Sequence, residues 1–156
     1  MSTLSVLGRS AALGVVAGMR SLAAPAALSR HLVTDPTVPH GAIDDLLSRP
    51  AAPRVLGIAS AAEHIADKLP FIPARTDPGP LAGRIAAGAL CGYVIARRAG
   101  ESPAAGAIVG GLAAAAATFA AYHLRRALAR EGVPDVAAAV LEDVGAVALA
   151  EAALRR

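Results

Sequence analysis

From Ser102 to Tyr122 the chain runs 21 residues without a charged side chain. About 20 such residues carry an α-helix across the hydrocarbon of a bilayer, and at about 1.5 Å per residue they cover roughly 30 Å. Alanine, the strongest helix former, fills much of the run. Gly106, Gly110 and Ala114 recur at every fourth position within it, a ridge of small residues that lets another helix approach closely. Ser102-Pro103 reads as its start, serine as N-cap and proline at the first helical position. The segment is therefore a helix bounded by about 103–129, and it must lie either in a membrane or at the centre of a bundle.

The rest of the chain follows the same composition. Hydrophobic residues make up 55% and charged residues 17%, against roughly 25% charged in an ordinary soluble domain. Runs of β-branched and aromatic residues, the mark of strands, are missing. Proline and charge clusters divide the remainder into four further helical stretches, at about 4–31, 54–69, 81–98 and 135–154. Asp77-Pro78 offers an earlier start for the 81–98 stretch, aspartate as N-cap. The loop between Val33 and Pro53 carries four prolines and the Asp44-Asp45 pair. The expectation is one all-helical domain over residues 1–156, an integral membrane bundle of four to five helices.

Arg20, Glu63, Glu142 and Asp143 interrupt those stretches, so a soluble alanine-rich bundle is the competing fold. The uncharged circumference of Ile85–Ala96 favours the membrane, because a soluble surface helix is apolar on one stripe only. Two Tyr, two Phe and no Trp are too few for an interfacial aromatic belt. If all five stretches cross, Lys68, Arg75, Arg84, Arg125, Arg126 and Arg130 face Arg30, Arg49, Arg54, Arg97, Arg98, Arg155 and Arg156. The two sides then balance and give no orientation.

The first stretch has the outline of a signal peptide, but Arg20 breaks its apolar run, and a retained helix is expected. Pro25 kinks or breaks that helix, or makes it re-entrant. Its Gly14 and Gly18 resemble the spacing of the fourth stretch. The second and fifth stretches each carry a glutamate after small residues. Such pairs form a weak inverted repeat of the kind that transporters use.

The charged residues carry what functional signal there is. Glu63 and Asp67 share one helix face, and His64 and Lys68 share the next. Two carboxylates beside a histidine suit a hard cation or a proton relay, or simply ion pairs with arginine. Glu142 lies within the fifth stretch next to Asp143, and acids in membrane helices are functional candidates by default. Arg20 is the natural partner for Glu63 or Glu142, with Ser21 adding a hydrogen bond. His123 ends the long apolar run and reads as an interfacial anchor.

Other chemistry is not indicated. The single Cys91 excludes an intrachain disulfide and a cysteine-rich zinc site. The net charge of +3 rests on arginine, with Lys68 the only lysine, and no basic run interleaved with aromatics points to nucleic acid. No nucleophile elbow, phosphate-binding loop, dinucleotide fingerprint or metalloprotease helix is present. No catalytic residue, metal or cofactor is assigned.

Three segments together, "AGMRS…P", "AEHIADKLPFIPARTDPGPLAGRIAAGAL" and "VLEDVGAVALA", resemble the bacterial multi-pass membrane proteins grouped as domain of unknown function 4126. The resemblance spans nearly the whole chain apart from the Val33–Pro53 loop. It implies a helical fold in the cell (plasma) membrane and carries no reaction, ligand or partner. The positions that match its motif are Arg20, Ser21, Glu63, Asp67, Lys68, Arg75, Thr76, Asp77, Arg84, Glu142 and Asp143. The leading expectation is a small transporter or channel-like unit, homo-oligomeric in the lipid bilayer. In it Arg20, Ser21, Glu63, Asp67, Lys68, Glu142 and Asp143 form a polar centre for a small ion or solute. Arg75, Thr76, Asp77 and Arg84 belong to the connector that caps it. The alternatives are an assembly factor of a membrane complex and, third, a membrane-embedded enzyme using Glu63, His64 and Asp67.

Overall fold

The computed structural model describes residues 2–35, 41–66 and 76–155, and among these every regular element is helical. In chain order they are α1 (Thr3–Met19), α2 (Ala23–Thr34), α3 (Ala42–Leu47), α4 (Ala52–Ala66), α5 (Pro78–Arg98), α6 (Pro103–Arg130) and α7 (Asp135–Leu154). Among the described residues seven helices stand where four to five were expected.

Local sequence explains where most of them begin and end. The Ser2 side chain accepts from the Ser5 N–H at the start of α1, and Ser102 accepts from the Ala105 N–H at the start of α6. α5 starts at Pro78 with Asp77 in extended conformation before it, so the earlier of its two sequence starts is the real one. α5 and α6 end alike, at Gly100 (φ 72°) and Gly132 (φ 78°). In each case the next residue's N–H reaches back five positions, Glu101 to the Ala96 carbonyl and Val133 to the Leu128 carbonyl. This satisfies carbonyls that the helix end would otherwise leave open, and glycine takes the left-handed conformation without penalty.

In the first stretch, of the kink, break or re-entrant path that Pro25 allows, the structure takes the break. Residues 4–31 do not form one helix but two, and the second doubles back. A continuous helix would drive the Pro25 ring into the Ser21 carbonyl. Instead α1 ends at Met19 and Arg20 is extended (φ −143°, ψ 110°). Pro25 becomes the third residue of α2, where a missing N–H costs no intrahelical bond.

Side-chain contacts fix the direction of α1, α2 and α4 to α7. At one end, here the proximal end, the Thr3 hydroxyl donates to Glu101 Oε1 (2.8 Å) and Arg9 Nε donates to the Ala153 carbonyl (2.6 Å). Arg98 pairs there with Asp35 (3.3 Å) and Asp44 (2.9 Å). At the distal end Arg20 meets Asp143, and Glu63 meets Ser21 and Arg84. So α1 runs from proximal to distal and α2 returns, and α4 to α7 continue the alternation. The first and last described helices therefore share the proximal end. The Val33–Pro53 segment contains α3, a helix the proline-rich sequence did not announce. It is held by Arg98 and by the Ser29 hydroxyl, which donates to the Leu47 carbonyl (2.6 Å).

Three helices make the core. Gly14 and Gly18 of α1 lie against Gly110 and Ala114 of α6, and Gly88 and Gly92 of α5 lie against Gly110 and Gly106. The backbones approach so closely that any side chain there would overlap a carbonyl of the facing helix. Thr118 ties α6 to α1 by donating to both the Ala114 (2.8 Å) and Gly18 (3.2 Å) carbonyls. α7 lies along α1 and α2, and α4 packs chiefly on α2.

Two helices, α5 and α6, are long and apolar enough to cross a membrane; α1 is apolar but shorter. Large apolar side chains face outward, among them Ile108 and Leu112 on α6 and Val136, Val140, Val144 and Val147 on α7.

Candidate functional site: the hairpin tip

The reversal between α1 and α2 leaves backbone donors without helical partners, because the first N–H groups of a helix always lack them. Glu63, projecting from α4, supplies the acceptors. Its Oε1 accepts from the Ser21 N–H (3.1 Å) and the Ser21 hydroxyl, and its Oε2 accepts from the Leu22 N–H (3.1 Å). A carboxylate at this place also meets the positive end of the α2 dipole. Arg84 of α5, 3% exposed, comes to 3.9 Å from Glu63 Oε1 and adds a buried positive charge.

Arg20 lies on the other flank of the turn, 5% exposed. Its Nε donates to Asp143 Oδ1 at 2.8 Å. The adjacent Glu142 points elsewhere, since consecutive residues of a helix are separated by about 100° around its axis. Glu142 accepts from Arg125 Nε of α6 (2.8 Å), and Arg125 also lies 3.5 Å from Asp135. The acidic doublet thus ties α7 to two different helices. Isolated, each buried charge would be strongly unfavourable; paired and hydrogen-bonded, it is tolerated.

Of the residues singled out in the sequence, Arg20, Ser21, Glu63, Arg84, Glu142 and Asp143 gather at the distal end. The contacts drawn for Arg20 and Glu63 lead to different partners, Asp143 for the first and Arg84 with the α2 start for the second. Thr76 and Asp77 stand just before and at the start of α5. Asp67, Lys68 and Arg75, and the side chain of His64, lie outside the described residues. Among the described residues no group of three or more His, Cys, Asp or Glu could hold a metal ion.

Two features went unread in the sequence. Arg125 reads there only as one basic residue near a helix end, and its pairing with Glu142 has no local signature. The proximal cluster of Arg98 with Asp35, Asp44 and Ser48 was signalled only by the Asp44-Asp45 doublet. On α5, 14 residues separate Arg84 of the distal layer from Arg98 of the proximal one, about 21 Å at helical rise.

The tip opens on a cavity of about 230 Å³ lined by Arg20, Arg30, Ser60 and Asp143 among small apolar residues of α1, α2, α4 and α7. On the opposite side of α1 and α7 an apolar groove of about 800 Å³ separates α6 from α7, with Arg125 and Glu142 on its wall.

The family model described as Domain of unknown function (DUF4126) matches residues 7–155, and the chain belongs to that family. No curated protein and no solved structure matches it.

Proposed function

We propose that this member of the DUF4126 family is a multi-pass protein of the cell membrane, and that its α1–α2 hairpin lines a passage for a small ion or solute. The observation that carries the reading is the hairpin tip. A broken helix in which buried charges meet beside a cavity is the arrangement by which membrane transporters hold small charged solutes. Irregular backbone within a bilayer is tolerated where it is buried in protein or lines a water-filled space. The outward-facing apolar residues of α6 and α7 support the bilayer as the surrounding medium, since a water-soluble chain rarely leaves so much apolar surface bare.

Reconstitution into liposomes tests the passage directly. Wild type is expected to conduct at least one small ion or solute from a broad panel, and Glu63→Gln, which weakens the tip, is expected to alter the rate. No flux for any member of the panel would overturn the passage.

The exposed apolar face of α7, with Val136, Val140, Val144 and Val147, supports a second reading, a structural or assembly role in which other membrane helices cover it. Purification in mild detergent separates the two. A stable stoichiometric partner of different sequence favours assembly, whereas a homo-oligomer free of partners favours the passage.

A further inference from the structure

The cavity at the hairpin tip does not stand alone. A second cleft, about 380 Å³, opens at the proximal end between α2 and α7 and is lined by Arg30, His31, Thr34, Glu151 and Arg155. The two share Ala27 and Arg30. α2 and α7 run side by side in the same direction, and alanines at 23, 26, 27, 146 and 150 leave room between them. The two spaces adjoin at Arg30, which stands between the proximal cleft and the cavity beside Arg20.

The charges along these two spaces decide what they would hold. Arg20, Arg30 and Arg155 face Asp143 and Glu151, an excess of one positive charge with His31 neutral. Asp143 is engaged with Arg20. Arg30, exposed on α2, makes no ion pair with any described residue, and it lines both spaces. A cation would have to pass two guanidinium groups; an anion would find one of them without an acidic partner. The volume at the tip equals roughly eight waters at about 30 Å³ each, enough for a small anion with part of its hydration.

We propose that the α2–α7 cleft is a binding site for a small monovalent anion, of the size of nitrate or a short carboxylate, with Arg30 as the residue that takes it from the proximal vestibule to the cavity beside Arg20. Ser60 lines the α4 wall. The proposal rests on the reading of the tip as a passage and names what that passage takes.

The test is a binding titration, separate from flux. Purified full-length protein in detergent is titrated with sodium nitrate or sodium acetate against sodium gluconate at constant ionic strength, and the melting temperature is followed. Wild type and Arg30→Lys are expected to be stabilised by nitrate or acetate. Arg30→Gln is expected to need at least about tenfold more anion, the effect of losing one charge-assisted hydrogen bond. Gly57→Leu is the uncharged companion. A Cβ at Gly57, on the cavity wall, meets nothing within 4 Å, so leucine there is expected to occupy the cavity and abolish the response. Titration of Arg30→Gln like wild type, or no response of folded wild type to either anion, would overturn the site. Anion binding without flux in liposomes sustains the site and overturns the passage. Cation flux without anion binding does the reverse.

Discussion

Gly88 and Gly83 lie on the same helix, five residues apart, yet a methyl group would meet opposite surroundings. A Cβ on Gly88 would stand 2.5 Å from the Gly110 carbonyl oxygen and 2.8 Å from Ala114 Cβ, while one on Gly83 would meet nothing within 4 Å. Contacts under 3.0 Å with backbone cannot be relieved by turning a side chain, so α5 and α6 would have to part by roughly 1 Å. A gap of that size forfeits about a quarter to a half of each dispersion contact along the seam, and overpacked sites of this kind cost about 1–3 kcal/mol. Alanine in place of glycine meanwhile gains about 1 kcal/mol of helix propensity at either position. The difference between Gly88→Ala and Gly83→Ala cancels that gain and isolates the packing term. Gly88→Ala is expected to be less stable than Gly83→Ala by about 1–3 kcal/mol, read as melting or denaturant midpoints in one detergent. Equal stability of the two variants would show that the α5–α6 seam is not packed backbone to backbone, and the reasoning would fail.

Three further outcomes are expected. Cysteines placed at Ser5 and Thr34 in a Cys91→Ala background, both exposed positions, are expected to react with an impermeant thiol reagent from the same side of sealed vesicles; labelling from opposite sides would mean that residues 4–31 cross once. Glu63→Ala removes the acceptor of three donors and is expected to destabilise by about 2–4 kcal/mol, more than Glu63→Gln, which keeps one acceptor oxygen; thermal melts giving the reverse order would contradict the described geometry. Arg125→Ala leaves the buried Glu142 without its α6 partner and is expected to cost about 1–3 kcal/mol. The exchange Arg125→Glu with Glu142→Arg is expected to recover part of that loss, and a double variant no better than the single would argue against the pair.

The sequence showed its helix boundaries well wherever the signal is local. Ser102-Pro103 and Asp77-Pro78 begin helices because capping and a fixed proline φ act within one turn. It also marked Arg20, Glu63 and the Glu142-Asp143 doublet as charges out of place in apolar helices, and the structure gathers these at one end. The reversal at residues 20–22 was not legible. Pro25 permits a kink, a break or a turn, and what selects the turn is a carboxylate 42 residues away. Partner identities were equally hidden, because neighbouring acids on a helix face different directions, so Asp143 rather than Glu142 reaches Arg20. α3 escaped notice since six residues make too short a helix to show a period, and Arg98, far along the chain, holds it in place.

The hairpin tip also imposes an order on how the protein can be made. Its first two helices are synthesised early, but Glu63 comes 42 residues after Ser21, and Asp143 comes 123 residues after Arg20. Until α4 has emerged, the donors at the start of α2 have no acceptor from Glu63. Until α7 has emerged, the Arg20 guanidinium lacks Asp143. The turn between α1 and α2 is thus completed only once α7 has been made, and the nascent hairpin must wait, hydrated or chaperoned, for Asp143.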